Sequence, residues 1–349
     1  MRILQNLLTS IKLHRLLYAI FIVIFFAFLN VLYIFFYPTL TVSSLQKQAV
    51  TVKPGMSSFE IADMLVEKGV IRNKKRFIAA IKILGVSTKL QSGDYIFSGR
   101  LNNYSVTLKL YKGRVITQSI TFPEGMKARD MAGLISRKFN VDSLDFMRLV
   151  KSDSVCKSYG IRAGSLEGYL YPDTYKFRKN VTASEIVDAM VKRWKELFTD
   201  SLRARAEEIN LSVHQVMTLA SIIEGEVQLD RERATVSSLY HNRLRIGMRL
   251  QADPTIQYII KNGPRRLLEK DLKIDSPYNT YIYAGLPPGP INNPGVKSII
   301  AALYPDSTKY LYMVANGDGS HHFSKTIIDH IKAKKRFDIE RKRVRRLKK

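Results

Sequence analysis

The sequence is poor in the residues that build several common kinds of site. It holds a single cysteine, Cys156, which excludes an internal disulfide and a cysteine-rich metal site. It contains no phosphate-cradling glycine loop and no G-x-S-x-G nucleophile motif. The adjacent pair His321 and His322, even taken with His241, matches no metal-ligand spacing. We therefore expect neither a metal nor a cofactor.

Acidic residues are also few, because 30 Asp and Glu face 56 Lys and Arg and leave a net charge of +26. The last eighteen residues, 332–349, carry eleven basic and two acidic residues, so most of the excess lies elsewhere. An excess of this size predicts contact with nucleic acid, an anionic membrane surface or an acidic polymer. The length of 349 residues, 46% of them hydrophobic, is enough for two or three domains.

A long run without charge stands near the N-terminus. Residues 16–37, "LLYAIFIVIFFAFLNVLYIFFY", contain one strongly polar residue, Asn30. At about 1.5 Å per residue this run spans roughly 33 Å as a helix, enough to cross a bilayer core of about 30 Å. A cleaved signal peptide is the alternative. Its apolar region is usually about 7–15 residues long and ends in small residues, whereas "FFYPTL" follows here. We predict a transmembrane anchor.

The charges that flank this run predict its orientation. Arg2, Lys12 and Arg15 precede it, whereas Lys47 alone falls in the dozen or so residues that follow. The positive-inside rule therefore places residues 1–15 in the cytoplasm and exports the remainder of the chain. An exported region does not meet chromosomal DNA, so we expect no nucleic-acid partner. Anionic lipid and the carboxylate-bearing cell-wall polymer are the favoured partners.

Residues 45–115 are predicted to form a small α/β module. "QAVTVKP" alternates as a strand, and "SSFEIADMLVEKGV" follows as a helix with Ser57 and Glu60 at capping-box spacing. "KKRFIAAIKILG" predicts a second helix that ends at Gly85, and "SGDYIFSG" predicts a returning strand. This βααβ order resembles a LysM-like module, which in other proteins contacts N-acetylated sugar polymers. A purely structural spacer is the alternative.

One predicted helix carries a carboxylate on its apolar face. At 3.6 residues per turn its apolar stripe consists of Val213, Val216, Met217, Ala220 and Val227. Glu224 lies on the same stripe, whereas Glu226 falls on nearly the opposite side. A carboxyl group kept from water holds its proton near neutral pH, and a neutral carboxylic acid can protonate a glycosidic oxygen. The alternative is a structural carboxylate bonded to backbone or to Arg231, Arg233 or Arg243.

Hydrolysis of a glycosidic bond usually needs a second carboxylate. Glu226 faces away if the helix continues through it, and Asp230 follows a probable helix end. Asp253 precedes a proline, an arrangement typical of a turn. A single acid suffices when a hydroxyl group of the substrate itself attacks the anomeric carbon. The stripe favours one acid, but the two-acid scheme stays open because Gly225 could loosen the helix and bring Glu226 nearer the cleft.

Further segments have the composition of a binding cleft. In "SLEGYLYPDTYKF", residues 165–177, four aromatic rings crowd around Pro172, which suits either sugar stacking or a core. From Glu224 onward we predict mostly irregular chain, with turns in "DPTIQY", "SPYNTYIYAGLPPGPINNPG" and "NGDGSHHF". Long loops of unusual composition after a helix with an embedded acid are typical of a groove.

The order of these motifs closely resembles the endolytic murein transglycosylases, the YceG-like family. The motifs are "FPEG" (122–125), "EGYLYPDTY" (167–175), "LASIIEGE" (219–226), "NRLRIGMRLQADPTIQY" (242–258), "SPYNTYIYAGLPPGPINNPG" (276–295) and "NGDGSHHF" (316–323). The similarity runs from the hydrophobic run to about residue 330, and the last four motifs are long, irregular and specific. The basic tail, 332–349, belongs to none of them.

The resemblance implies an inner-membrane enzyme that faces the periplasm or cell-wall space. Such enzymes cut nascent peptidoglycan strands between N-acetylmuramic acid and N-acetylglucosamine, where the C6 hydroxyl of the muramic ring attacks and a 1,6-anhydro end is left. The family's catalytic acid corresponds to Glu224. Peptidoglycan is the implied substrate, and peptidoglycan synthases are candidate partners. The alternatives are a hydrolytic muramidase with a second carboxylate and a non-catalytic glycan-binding scaffold.

The resemblance also implies a substrate groove. It comprises Asn242, Arg243, Gln251, Asp253, Pro254, Thr255, Tyr278, Asn279, Thr280, Leu286, Pro287 and Pro288, together with Tyr169, Tyr171 and Asp173 of the aromatic segment. We expect tyrosines to stack on sugars, amides to bond acetamido groups and Asp253 to organise a turn. The expected fold is α+β: a transmembrane helix (16–37), a LysM-like module (45–115), a mixed α/β catalytic domain with groove-forming loops (116–331) and the tail (332–349).

Overall fold

The computed structural model describes residues 2–42, 47–113, 116–261 and 263–347. The chain divides into two compact units. The first comprises Met1–Gln118 with Arg178–Asn180, and the second comprises Ser119–Phe177 with Val181–Lys349.

The first unit begins with helix α1, Arg2–Phe36. Its segment His14–Phe36, 23 residues of mean hydropathy 2.8, is long and apolar enough to cross a membrane, and no other helix in the described ranges is. This is consistent with the predicted single-pass anchor, while its orientation stays a prediction. The remaining elements are β1 (Pro38–Val42), β2 (Gln48–Val52), α2 (Ser58–Glu67), α3 (Lys74–Ile83), β3 (Gly93–Phe97), β4 (Gly99–Asn102) and α4 (Asn103–Tyr111).

The β2–α2–α3–β3 order matches the predicted strand–helix–helix–strand order. β2 and β3 pair antiparallel, with Gln48 opposite Phe97 and Val52 opposite Gly93. The capping box is present, because Ser57 accepts from the Glu60 N–H while Glu60 accepts from the Ser57 N–H. The apolar faces enclose a separate core that includes Leu65, Phe77, Tyr95 and Phe97. Its likeness to LysM modules stays a prediction.

The second unit is mainly helical. Strands β5 (Thr117–Thr121) and β6 (Thr174–Arg178) form one two-stranded sheet. Strands β7 (Tyr312–Ala315) and β8 (His321–Ser324) form another, which is antiparallel. Its helices are α5 (Ala128–Lys138), α6 (Ser143–Val150), α7 (Asp153–Ser158), α8 (Ala183–Leu197), α9 (Asp200–Glu208), α10 (Val213–Glu226), α11 (Arg233–Arg245), α12 (Asp253–Ile259), α13 (Val296–Leu303) and α14 (Ile327–Leu347). Helices and strands together agree with the α+β class.

The central helix, α10, is buried around its whole circumference. Ser212 and Gln215 form a capping box at its start, and all eight residues of 216–223 are buried. It packs against α11, α12 and α13. An apolar helix surrounded by other helices has no solvent face, so the single packing stripe expected from the sequence is wrong. Over residues 216–223 both sides of α10 therefore face protein, and neither side faces water.

The prediction that the chain turns irregular after Glu224 is also wrong, because α11 to α14 follow. Helix α11 is polar in sequence, yet Val236, Leu239 and Tyr240 recur at helical spacing and are buried. "DPTIQY" is not a turn, because Pro254 stands in the first turn of α12, where a missing N–H costs nothing. Residues 276–295 do lie outside helices and strands. Helix α14 extends into the basic tail as far as Leu347.

Candidate active site

Glu224 lies near the end of α10 and has two partners. Its Oε2 accepts a hydrogen bond of 3.1 Å from the Gly295 N–H and lies 3.3 Å from Nη1 of Arg233. The side chains of Glu224 and Arg233 are only 7% and 9% exposed. Glu224 therefore has the kinds of partner named for a structural carboxylate, a backbone N–H and an arginine, and the arginine is Arg233.

Arg233 is itself held by a second layer of polar groups. Its Nε donates to Asp230 Oδ1 at 3.0 Å, and its Nη1 donates to Ser298. Lys297 forms an ion pair with the same Asp230. These contacts lower the pKa of Asp230, chiefly through the bond from Lys297. A fixed cation thus lies against Glu224, and the ion pair needs this support because both of its members are removed from water.

A second carboxyl group, Glu124 of the "FPEG" motif, reaches the same place. A Cβ atom added to Gly295 would lie 1.9 Å from Oε1 of Glu124, so this carboxyl group occupies the space that any side chain at 295 would need. Burial, and next the charge of Glu224, raise the pKa of Glu124, while Arg233 and Lys297 oppose the rise. Glu124 was not among the predicted site residues. The one available signal was that Glu124 is the only acid in "FPEG".

Glu226 lies on the other side of α10, and it is not directed into solvent. Its carboxyl group is buried, and its Oε2 has no hydrogen-bond partner among the described residues. Burial, followed by the charge of Asp253, raises the pKa of Glu226 to about 7, against the opposing effects of Arg243 and the Tyr240 hydroxyl. The prediction that Glu226 points away from any cleft if α10 continues through it is wrong.

A cavity of about 430 Å³ opens beside these residues. Its lining includes Glu226, Asp253 and Pro254 from the predicted site motifs, and Lys127, Asp130 and Gln257 from elsewhere. Gly125 and Gly225 also line it. Glu224 is not in the lining, but a Cβ on the lining residue Gly125 would lie 3.5 Å from Cγ of Glu224, so Glu224 lies beside the cavity wall. The cavity is polar on the Lys127 and Glu226 sides, a lining that suits a ligand rich in hydroxyl and amide groups.

Pro254 and Asp253 stand where α12 meets the cavity. A Cβ on Gly225 would lie 2.7 Å from Cβ of Pro254, so the close packing of α10 on α12 requires glycine there. Asp253 Oδ1 accepts a hydrogen bond of 2.5 Å from the Tyr281 hydroxyl. Asp253 opens a helix and does not organise a turn. The two residues are the predicted groove members that reach the cavity.

Three of the predicted groove residues are fully buried and bonded to protein. Thr255 Oγ1 donates to the Ala252 carbonyl at 2.7 Å and lies 2.9 Å from Thr280 Oγ1, which accepts from the Ala252 N–H. The Asn279 amide donates to the carbonyls of Leu272 and Ile274. Because their polar atoms are already used, these side chains support the loop and do not offer groups to a sugar.

Asn242 and Arg243 of α11 are supports as well. Asn242 Nδ2 donates to the carbonyls of Thr308 and Tyr310, at 2.9 and 3.1 Å. Arg243 Nε donates to the Leu311 carbonyl at 2.7 Å, and burial lowers the pKa of this guanidinium. Both side chains are buried. The predicted bond from Asn242 to an acetamido group is not compatible with this arrangement, because its two N–H groups bond the segment before β7.

The remaining loop residues lie at several depths. Gln251 is exposed, has a positive φ of 47° and donates its N–H to the Thr280 carbonyl. Tyr278 is half-buried, and its ring lies 4.9 Å from that of Tyr258. Leu286 packs partly against the core, Pro287 is buried, and exposed Pro288 accepts a hydrogen bond from His214 Nε2. Tyr278 is the tyrosine of this loop best placed to present part of a ring.

The aromatic segment is largely core. Tyr169 is buried, its ring lies 4.9 Å from Trp194, and its hydroxyl lies 2.8 Å from His214 Nδ1. Tyr171 is buried too, and burial raises its pKa, as does, to a lesser extent, the charge of Glu124. Asp173 accepts from Arg193 Nε at 3.0 Å. Of the two readings left open by composition, the structure supports core for Tyr169, because its ring and hydroxyl both have protein partners.

A buried carboxyl group joins three of the motifs. Glu167 Oε1 accepts hydrogen bonds of 2.9 Å from the Ala128 N–H and from Asn293 Nδ2. Asn293 Oδ1 in turn accepts from the N–H groups of Gly168 and Leu170. Burial raises the pKa of Glu167 to about 7. The Gly125 N–H also donates to the Asn293 carbonyl, so "FPEG", "EGYLYPDTY" and "INNPG" meet at one hub.

No metal centre is evident in the described ranges, where no three of the His, Cys, Asp and Glu residues are grouped to hold an ion. His321 Nδ1 lies 2.8 Å from Glu232 Oε2, so it has a protein partner. His241 Nε2 bonds the Ala302 carbonyl, and burial lowers the pKa of this imidazole.

Comparison with known proteins agrees with the motif order. The YceG-like family model matches residues 50–336. A protein of Bacillus subtilis (strain 168) described as an endolytic murein transglycosylase is 36% identical over 304 residues, which cover 82% of this chain and 84% of that one. A protein of the same description from Streptococcus pneumoniae (strain ATCC BAA-255 / R6) is 25% identical. The match covers 83% of this chain but only 59% of that longer relative.

A solved structure is similar as well. The crystal structure of a YceG-like protein from Listeria monocytogenes matches with a TM-score of 0.57 and 34% identity, over 83% of this chain and 99% of that one. The resemblance predicted from the motifs is thereby confirmed. Since the family model spans most of the sequence, this chain belongs to the YceG-like family.

Proposed function

We propose that this protein is a membrane-anchored endolytic transglycosylase that cleaves peptidoglycan glycan strands without hydrolysis and leaves 1,6-anhydro-muramic ends. Relatives that cover most of this chain are described as endolytic murein transglycosylases. The observation that carries the proposal for this chain is the position of Glu224, a carboxyl group shielded from water that lies beside Gly125, a residue in the wall of a cavity of about 430 Å³. A glycan strand would occupy that cavity.

In the proposed mechanism Glu224 acts first as acid and then as base. It protonates the glycosidic oxygen as the bond between the muramic C1 and this oxygen breaks. The C6 hydroxyl of the same ring then attacks C1 and returns its proton to Glu224. No water enters the products, and the carboxyl group ends in the state in which it began. Such proton transfer contributes about 10²–10⁴-fold to rate in known enzymes.

The cavity supports a subset of the groove residues as substrate contacts. Asp253 and Pro254 line it directly. Lys127 and Gln257, which the sequence did not single out, line it as well. The Tyr278 ring lies 4.9 Å from that of Tyr258, over which the Lys127 ammonium lies at 5.5 Å. These residues are our candidates for binding hydroxyl and acetamido groups, while the buried members of the predicted groove hold the loops in place.

A hydrolytic muramidase is the second candidate, because a specific observation favours it. Two further carboxyl groups could activate water. Glu124 reaches Gly295, which bonds Glu224, and Glu226 is a buried carboxyl group at the end of the same helix as Glu224. Mass spectrometry of products separates the two reactions. A transglycosylase leaves anhydro ends, whereas a muramidase leaves reducing ends that are heavier by one water.

The test of the proposed function uses the full-length protein in detergent with purified glycan strands. We expect the wild type to release anhydro-ended fragments and Glu224→Gln to lower the rate by at least about 10²-fold. Glu207→Gln, an exposed change on α9, is the matched control and should leave turnover unchanged. Turnover by Glu224→Gln at the wild-type rate would refute the role of Glu224. Cellular function without turnover in vitro would instead support a glycan-binding scaffold.

Location and partners are part of the same proposal. We place α1 across the cytoplasmic (inner) membrane with a cytoplasmic N-terminus and the second unit on the extracytoplasmic side, on the support of the flanking charges and the apolar segment His14–Phe36. Peptidoglycan synthases would be partners, and the βααβ region would contact glycan. Two assays test the placement. The protein should sediment with membranes, and protease added to intact spheroplasts should digest the second unit.

A further inference from the structure

The charges around Glu224 pose a problem for an acid catalyst. Arg233 lies 3.3 Å from its carboxyl group, and the Gly295 N–H also bonds the same oxygen. A cation and an N–H donor both stabilise negative charge on a carboxyl oxygen. Lys297 adds a second positive charge, and Asp230, which pairs with both Lys297 and Arg233, offsets only part of the total. A proton donor needs something in the site that offsets these cations.

Glu124 is the group that can do so. Its Oε1 would lie 1.9 Å from a Cβ on Gly295, and the Gly295 N–H lies 3.1 Å from Glu224 Oε2. Adding the bond lengths between these points leaves the two carboxyl oxygens no more than about 8 Å apart. The charged and titratable groups that face Glu124 are Glu224, Arg233, Lys297, Asp230 and Tyr171.

We propose that Glu124 is a positioning residue for Glu224: its carboxyl group offsets Arg233 and Lys297, so that the pair of glutamates holds the one proton that cleavage requires. The inference rests on the proposed transglycosylase function. The raised pKa of Glu124, caused by burial and by the charge of Glu224, supports this coupling. Two carboxyl groups within about 8 Å of each other interact electrostatically.

The proton balance of the cycle closes within the pair. The pair begins with one proton, which passes to the glycosidic oxygen through Glu224 as the C1–O bond breaks. When the C6 oxygen bonds to C1, its proton returns to Glu224. The pair again holds one proton, and no other reactant is consumed. Glu124 contacts no reacting atom in this scheme, because it acts through its charge on Glu224.

The experiment is the pH profile of kcat/KM for release of anhydro fragments. In Glu124→Gln the opposing charge is lost, so the alkaline limb of the profile should move to lower pH. Two unit charges about 8 Å apart predict a move of about 0.4–1.5 pH units, or about 3- to 30-fold slower turnover on that limb. Glu124→Asp keeps the charge and should restore most of the limb. Lys297→Gln removes a cation and should move the limb to higher pH.

The outcomes separate the two proposals. Opposite shifts in Glu124→Gln and Lys297→Gln, with near wild-type rates on the acid side, support the inference. A uniform loss at every pH in Glu124→Gln would mean a purely structural role and would overturn it, as would an unchanged profile. In both cases the proposed function is retained if the products are still anhydro fragments and their release still requires Glu224. Turnover by Glu224→Gln, or reducing-end products from the wild type, would remove the proposed function itself.

Discussion

Replacing Glu167 by glutamine isolates the ionisation of the hub that joins three motifs. Glu167 Oε1 accepts from the Ala128 N–H and Asn293 Nδ2, both at 2.9 Å. Glutamine retains a carbonyl oxygen, so both hydrogen bonds can persist. The side chain is not part of the proposed Glu124–Glu224 pair. The substitution therefore removes a titratable group from the interior while leaving the packing of the hub nearly the same.

The magnitude follows from the pKa of Glu167, which burial raises from 4.5 to about 7. The folded chain binds this proton more tightly than the unfolded chain does. The contribution of Glu167 to stability is therefore highest below about pH 4.5. It falls as the pH rises toward 7 and is lowest above that. Each pKa unit is worth about 1.4 kcal/mol, so the full loss is about 3 kcal/mol. The stability advantage of Glu167→Gln over wild type should grow by about 2–3 kcal/mol between pH 5 and pH 8.

Trp194 offers a direct assay, since it is the only tryptophan in the chain and lies buried against Tyr169 in the same unit. Thermal unfolding of the full-length protein in detergent, followed by its fluorescence, should show a difference between variant and wild type that widens by roughly 5 °C from pH 5 to pH 8. Glu207→Gln is the control and should track wild type throughout. A difference that stays constant with pH would refute the reasoning, because Glu167 would then be ionised in the folded chain.

Three further predictions concern the site and the anchor. Glu226→Gln should still yield anhydro products. Because the pKa of Glu226 is raised to about 7, the variant should also be more stable than wild type at pH 8. If the wild type released reducing-end products and this variant did not, Glu226 would be assigned to catalysis. Gly168→Ala should destabilise the second unit by about 3 kcal/mol in urea unfolding, since φ is +88° and the new Cβ would meet Pro290 at 2.4 Å; an unchanged midpoint would contradict this. Phe25→Arg with Phe26→Arg should cost about 2.5–3.5 kcal/mol each in insertion and shift the protein from the membrane pellet to the soluble fraction, unless α1 is not an anchor.

Local chemistry made the first unit predictable. The order β2–α2–α3–β3 follows from alternation in two short segments, from the capping box at Ser57 and from glycines at the helix ends. Each of these signals involves residues that are neighbours along the chain. The apolar segment of α1 is predictable in the same way, because a run of about twenty residues without charge is identified by its length and composition alone.

The second half of the other unit was not predictable by these means. Helix α11 falls in the part of the chain that was expected to be irregular, and it is rich in polar and basic residues. Those residues are buried and paired with distant segments: Arg243 with the Leu311 carbonyl and Asn242 with the Thr308 carbonyl. Proline in "DPTIQY" was taken for a turn signal, although Pro254 begins α12. Tertiary partners overrode local preference in both cases.

Motif order along the chain was enough to establish the family and to mark Glu224 as the carboxylate of interest. Which of the acids near the end of α10 forms an ion pair with an arginine depended on folding. Arg233 and Gly295 meet Glu224, Glu124 reaches the same glycine from a remote loop, and Glu226 lies against Asp253. A helical stripe specifies only the direction in which a side chain leaves its own helix. The proton affinity of a carboxyl group is set by the charges and the solvent around it, and here distant segments supply both.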